Sequence, residues 1–238
     1  MLLSRQHKFV FIKTRKTAST SLEIFFSRFC SEGDIVTTIT PADEVVRLGL
    51  GGCLPQNYSE DPDLETAYRD AIRERDIVKI EKLRYLNEPL FWNHITLSEA
   101  RKRVSIPDDY LVISSDRHPY DKVLSITNYR LRSRSVSDAE FNSELNREIN
   151  RKRYRNIDAY RDVRGILDHR VIRYERLTQD LSALCRELNL PFDEACLPVT
   201  KSGYRLKGKD PFTSLDDVQK RKIAKICREE FEAYEYAL

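Results

Sequence analysis

Along the chain, short apolar runs are followed by polar turns and then by stretches with helical spacing. Phe9, Val10, Phe11 and Ile12 suit a strand buried on both faces, and Leu22, Ile24, Phe25, Phe26 and Phe29 give an apolar side to a helix behind it. The pattern returns about a hundred residues on. Tyr110, Leu111, Val112, Ile113, Ser114 and Ser115 predict a strand, and residues 117–125 open a helix with Pro119 in its first turn, where a missing N–H costs nothing. Residues 170–173 predict a later strand, and Ile35, Val36, Thr37, Thr38 and Ile39 another beside the first unit. Residues 48–58 are turn-rich, and residues 63–86 carry helical periodicity with many charges. Strands alternating with helices predict an α/β fold, three-layer α/β/α with a mainly parallel central sheet.

The polar turns carry the chemistry. Between the first strand and its helix stand Lys16, Thr17, Ala18, Ser19, Thr20 and Ser21. At a helix start the first N–H groups lack intrahelical partners and the macrodipole is positive, so an anion is favoured; Lys16 adds an ammonium and the hydroxyls add donors. The ligand this predicts is a phosphate or sulfate ester. The first glycine of the chain is Gly33, so the glycine-built G-x-x-x-x-G-K-[ST] loop of a nucleoside triphosphate site is absent, and a tighter loop around one 5′-phosphate fits better. An ordinary Ser/Thr-capped helix with a solvated lysine has the same local sequence. In the second turn, Arg117 stands just past the strand's carboxyl end, the edge where open parallel sheets bind ligands, and Ser125 lies about two turns into the new helix. A guanidinium and a hydroxyl there suit a second anion; a surface ion pair is the plainer role for Arg117.

Together the two turns resemble the cofactor site of the sulfotransferase family, which transfers a sulfuryl group from 3′-phosphoadenosine 5′-phosphosulfate (PAPS). KTASTS at 16–21 resembles the 5′-phosphosulfate loop of the carbohydrate and heparan sulfate branches, and RHPYDKVLS at 117–125 resembles the 3′-phosphate motif. RVIRYERLTQDLSALCRELNLP at 170–191 is similar to the family's late strand, Tyr-Glu and helix, and the Lys201-Ser202-Gly203-Tyr204-Arg205 loop with the closing EEFEAYEY resembles the C-terminal segment of bacterial members. The chain departs from the family at Arg15, where proline is usual. The resemblance implies the P-loop kinase-like sulfotransferase fold over residues 1–238 as one domain. It implies that Lys16 and the backbone of residues 17–20 hold the 5′-phosphate with Thr20 and Ser21, that Arg117 and Ser125 hold the 3′-phosphate, and that Lys201, Ser202, Gly203 and Arg205 close on the cofactor. PAPS would be the donor, adenosine 3′,5′-bisphosphate the product, with no metal.

An acceptor hydroxyl must lose a proton, and a histidine with an ordinary pKa of about 6.5 suits that task near neutral pH. Of four histidines, His94 stands directly before an expected helix, and HITLSEARKRV resembles the family's H-x-T segment. Catalysis and a helix-start role beside Phe91 and Trp92 both remain open for it, with Glu88 and Asp116 as reserve bases. Residues 40–92 are expected to set acceptor specificity, since loops at the ligand edge of a rigid sheet often do. Within them Gln56, Asn57 and Tyr58 suit sugar hydroxyls as well as they suit a structural turn. The acceptor expected is a carbohydrate.

Composition changes this picture little. A chain of 238 residues, 40% hydrophobic, can bury one substantial core, and a net charge of +3 is too small to argue for a nucleic-acid partner. Basic residues accumulate between Arg130 and Arg164, but acidic ones interleave with them, which suits a solvated helix with surface ion pairs or, as the alternative, a polyanion-binding face. Five cysteines without C-x-x-C spacing suggest neither zinc nor a disulfide framework, so a reduced, cytoplasmic chain is expected, and no apolar run reaches the ~18 residues of a membrane span. Two other functions fit parts of the sequence: a Mg²⁺-dependent nucleotide phosphotransferase using Asp116, and a non-catalytic polyanion-binding protein.

Overall fold

The computed structural model describes residues 1–86, 88–132, 134–161, 169–200, 210 and 212–237. Among them five strands form one mixed sheet in the order β3–β1–β2–β4–β5, where β1 is Leu2–Ser4, β2 Phe9–Phe11, β3 Ile35–Val36, β4 Leu111–Asp116 and β5 Arg170–Arg173. The expected strands are present, Ile35–Val36 being shorter than its apolar run. The expectation of a mainly parallel sheet is corrected: β2, β4 and β5 run parallel, but β1 is antiparallel to both β2 and β3. A three-residue strand joined to β2 by a tight turn has too little periodicity to be read from sequence.

The helices are α1 (Ser19–Ser27), α2 (Pro41–Gly49), α3 (Pro62–Arg73), α4 (Ile77–Leu86), α5 (Leu97–Arg101), α6 (Pro119–Leu131), α7 (Asp138–Arg151), α8 (Ile157–Tyr160), α9 (Leu177–Glu187), α10 (Asp217–Ile226) and α11 (Arg228–Tyr234). Their starts follow the local sequence. Asp61 caps α3 ahead of Pro62, Thr96 caps α5, and Ser137 with Glu140 and Asp216 with Gln219 form capping boxes on α7 and α10. The charged stretch 63–86 divides into α3 and α4 near Arg75, whose φ of +58° breaks the helix.

Alternate strand residues enter opposite cores. Leu2, Phe9, Phe11, Val36, Ile113 and Ile172 pack against Leu22, Phe25 and Phe26 of α1 and Leu181, Leu184 and Cys185 of α9. Leu3, Val10, Ile12, Ile35 and Val112 meet Leu97 and Ala100 of α5 and Ile157 and Tyr160 of α8. The sheet is thus covered on both faces, and the chain is α/β. A third cluster joins α6, α7, α10 and α11, and a fourth joins α2, α3 and α4, so much of residues 40–92 is a small helical unit with its own core.

One buried polar network fastens the C-terminal helices to the sheet. Lys122 of α6, fully buried, lies 2.8 Å from Asp116 Oδ1 at the end of β4 and 3.0 Å from Glu230 Oε1 of α11. Asp116 Oδ1 also accepts the Arg117 N–H at 2.5 Å, and Asp116 Oδ2 accepts the Tyr160 hydroxyl of α8 at 3.0 Å. Removing the cation would leave two buried carboxylates facing each other. Lys122→Met is therefore expected to cost about 3–5 kcal/mol in urea unfolding, the range for breaking a buried ion pair; a loss below 1 kcal/mol would show that the network does not hold these elements.

Candidate functional site

Every candidate anion-binding residue within the described chain comes from the carboxyl edge of β2 and β4. β2 leaves the sheet through Ile12, whose N–H donates to Ile113 O at 2.8 Å. The Lys13 side chain turns inward to Glu23 Oε2 of α1 at 2.7 Å, with both side chains buried, so it serves the scaffold and leaves Arg15 and Lys16 as the loop's outer cations. Thr14 donates its hydroxyl to Ser115 O at 2.6 Å, and its Oγ1 lies 2.7 Å from Thr17 Oγ1, which is 2.8 Å from Ser115 Oγ. Ser19 Oγ donates to Thr14 O at 2.5 Å. The hydroxyls of Thr17 and Ser19 are therefore clamps that tie loop, helix and β4 together. The sequence suggested ligand donors at these two positions; the structure commits their side chains elsewhere.

The loop backbone is unusual for a segment without glycine. Lys16 has φ +64° and Ala18 φ +58°, left-handed conformations that cost a non-glycine residue about 1–3 kcal/mol each and persist where the surroundings enforce them. The N–H groups of Thr17 and Ala18 have no acceptor among the described residues. Two such donors at the start of α1 form a concavity suited to an anion. Thr20 lies buried in the first turn of α1, and Ser21 Oγ is 3.0 Å from Thr200 Oγ1. Lys201, Ser202, Gly203 and Arg205, which follow Thr200, lie outside the described residues.

The second turn adjoins this loop. Arg117 follows β4 directly, is almost fully buried, and sits with its guanidinium 3.8 Å from the centre of the Tyr174 ring at the end of β5. Its Nε and Nη2 reach Asp121 Oδ2 at 2.6 and 2.5 Å, and its Nη1 donates to Lys16 O at 3.5 Å. The Lys16 ammonium in turn lies 4.5 Å from the Tyr129 ring centre. Asp121, Ser125 and Tyr129 are spaced four apart on α6 and share one face, so Ser125 stands between the residue holding Arg117 and the residue under Lys16. Lys16, Arg117 and Ser125 are thus brought together. Tyr174, Asp121 and Tyr129 were not singled out by the sequence; the i, i+4 spacing from Arg117 to Asp121 and the place of Tyr174 at the end of a parallel strand were the available signals.

The histidines and the carboxylates considered as bases separate clearly. His94 Nδ1 lies 3.1 Å from Lys13 O, and since a carbonyl only accepts, Nδ1 carries the proton and Nε2 keeps its lone pair. Burial, together with Lys13 and Arg15, lowers its pKa from 6.5 to about 3. His118 caps α6, with Nδ1 3.3 Å from Tyr120 N and Nε2 donating to Ala237 O at 2.8 Å, a structural role. Asp116 is fully buried and held by Lys122 and Tyr160, so the reserve-base role suggested for it is corrected; Glu88 is exposed.

Gln56, Asn57 and Tyr58 do not join the site. Gln56 bridges to Val36, so the turn flanks β3, the outer strand of the sheet and two strands away from β2 and its loop. Gln56 Nε2 donates to Ser31 O and Asp34 O at 2.7 and 3.2 Å, and Asn57 Nδ2 donates to Asp34 O at 2.8 Å. The Tyr58 ring is buried 6.2 Å from that of Tyr68. A cavity of about 530 Å³ beside Gln56 and Asn57 lies at that far edge. The acceptor role expected of these three residues is corrected accordingly: sequence places them in a turn but does not say at which edge of the sheet. No helix is long and apolar enough to cross a membrane, and no group of three or more His, Cys, Asp or Glu is placed to hold a metal, both among the described residues. Compared with family models, with curated proteins and with solved structures, the chain matches none.

The His94 geometry has a measurable consequence. Its folded pKa of about 3 lies below the unfolded value of 6.5, so the unfolded chain binds the extra proton first and stability is lost as pH falls through that interval. Wild type is expected to lose more thermal stability than His94→Gln between pH 7 and pH 4.5. Identical losses would mean that His94 is not held neutral.

Proposed function

We propose that the chain is a PAPS-dependent O-sulfotransferase with the P-loop kinase-like sulfotransferase fold, moving a sulfuryl group from the donor to a hydroxyl of an acceptor. The observation that carries this reading is the side-by-side setting of two anion sites. One is the strained, glycine-free loop with Lys16 and the N–H groups of Thr17 and Ala18; the other is Arg117 beside Ser125, its guanidinium bonded to the carbonyl of Lys16. A nucleotide with phosphates at both 5′ and 3′ positions is the ligand whose charges match two such sites. The donor groups fit it: N–H groups, an ammonium, a guanidinium and a hydroxyl all recognise phosphate oxygens.

The residues then divide the work. The N–H groups of Thr17 and Ala18 orient the 5′-phosphate, and the Lys16 ammonium, a compact charge on a flexible stem, neutralises the bridging oxygen as its bond to sulfur breaks. Arg117 and Ser125 hold the 3′-phosphate, with the Tyr174 ring fixing the plane of the guanidinium. His94 Nε2 accepts the proton of the acceptor hydroxyl as its oxygen bonds to sulfur. A base with a pKa of about 3 is weak; burial is the main cause, Lys13 and Arg15 add to it, and an incoming anion would offset only the part those two charges contribute. The reading as a Mg²⁺-dependent phosphotransferase is less well supported, because the Asp116 carboxylate it needs is occupied by Lys122 and Tyr160.

Isothermal titration with adenosine 3′,5′-bisphosphate tests this directly. Micromolar binding is expected for the wild type, and Arg117→Ala is expected to weaken it about tenfold to a hundredfold, the loss of one or two charge-assisted hydrogen bonds. Binding that needs Mg²⁺, or that ignores the 3′-phosphate and tolerates Arg117→Ala, would overturn the proposal.

A further inference from the structure

Helix α4 is apolar on two sides, and packing accounts for only one of them. Ile80 and Leu83 turn inward, where they meet Tyr68, Ala71 and Ile72 of α3 and Val45 and Leu48 of α2. A helix held to its neighbours by one such stripe ordinarily carries polar residues on the opposite side. Here that side carries Val78, Tyr85 and Leu86, which are 80%, 78% and 64% exposed. Positions 78, 82, 85 and 86 follow the i, i+4, i+7, i+8 spacing of a single helical face, so its fourth member is Lys82. Lys79 borders the same face, and both lysines are exposed.

The carboxylates nearby are turned to other tasks. Asp76 accepts the Lys79 N–H at 2.9 Å and so caps the start of α4, and Glu81 stands at the flank of the face with Arg84 at 3.8 Å. Glu74, at the end of α3, lies 3.0 Å from the Lys79 ammonium, an ion pair between exposed groups that holds weakly. Glu88 lies beyond the end of the helix. Among the described residues no carboxylate is within ion-pair distance of Lys82, or of Arg75, which is exposed in the turn that opens α4. The outward face therefore joins three apolar side chains to cations, with no carboxylate at its centre.

We propose that this face of α4 docks the protein on a lipid surface with anionic headgroups, Val78, Tyr85 and Leu86 entering the headgroup layer and Lys79, Lys82 and Arg75 standing beside lipid phosphates. Exposed apolar side chains grouped on one element mark an interaction site. Size decides between a membrane and a second protein. The ten residues of α4 run about 15 Å, and a stable protein interface takes about 800 Å² from each partner, which one short convex strip does not supply. A bilayer surface sets no such minimum: it deforms around the side chains, and affinity grows with the apolar area inserted and with each cation brought near anionic headgroups. Lysine suits the border of such a strip, since its stem lies along apolar surface while its ammonium reaches phosphate. A helix of this length lies on the surface and does not cross it. The inference does not depend on the reading of the ligand edge.

Vesicle sedimentation tests this, with phosphatidylcholine alone and with phosphatidylcholine and phosphatidylglycerol in equal parts. Wild type is expected to sediment with the mixed vesicles but not with phosphatidylcholine, and to be released as salt rises. The double variant Val78→Ser with Tyr85→Ser, at two exposed positions and with its melting temperature checked against wild type, is expected to bind the mixed vesicles about tenfold more weakly. Lys82→Ser is expected to weaken binding about fivefold, the effect of one cation near an anionic surface. No sedimentation of the wild type would overturn the proposal. So would unchanged binding by both variants, which would assign the lipid contact to another face. A wild-type dimer in light scattering that the double variant turns into a monomer would overturn it too, assigning the face to a second copy of the chain. Equal binding to both vesicle types would overturn the choice of anionic lipid. Should the double variant melt early, Lys82→Ser alone supplies the comparison.

Discussion

The carboxylate of Asp116 is the point on which the ligand edge is built. It ends β4 fully buried, and it accepts from Lys122 and from the Arg117 amide through one oxygen and from Tyr160 through the other. Those three bonds set the start of α6, the exit of the chain toward Arg117 and the seat of α8. Lys122 carries the constraint on to Glu230 of α11, and Glu230 carries it to the Asn156 amide, whose side chain holds both polar groups of the Arg15 backbone. A buried charge network of this kind adds little net stability compared with apolar packing, but it fixes a unique geometry. Here the geometry fixed is that of two loops that must stand beside each other.

The loops also share a division between inward and outward groups. Thr14, Thr17, Ser19 and Ser115 spend their hydroxyls on one another and on backbone carbonyls, and Lys13 spends its charge on Glu23. Lys16, Ala18 and Ser125 keep part of their surface exposed, and Arg117, although buried, stands beside them. Without glycine the left-handed turns at Lys16 and Ala18 are strained, and the clamp of hydroxyls behind them offsets that strain. A rigid cradle of this sort holds its dipoles in place before an anion arrives, which is what electrostatic stabilisation of a departing oxygen requires.

Much of this was legible in the sequence because it is local. The apolar runs before Lys16 and before Arg117 read as strands because each side faces a core, and Pro119 and the hydroxyl-rich turn marked the helix starts. Pairing of Lys16 with Arg117 could be inferred because both follow parallel strands, and parallel strands end at one edge. Strand β1 was not legible, being three residues that only the sheet itself makes a strand. Nor was the edge occupied by Gln56 and Asn57, which depends on β3 being the outer strand and hence on its pairing with β1. The roles of Thr17 and Ser19 turned on rotamer and burial, which composition does not encode.

The most direct measurement is a crystal structure of the protein with adenosine 3′,5′-bisphosphate. The 5′-phosphate is expected against the N–H groups of Thr17 and Ala18 within reach of Lys16, and the 3′-phosphate between Arg117 and Ser125. A bisphosphate seated at the far edge of the sheet beside Gln56 and Asn57, or one whose 3′-phosphate points away from Arg117, would contradict it.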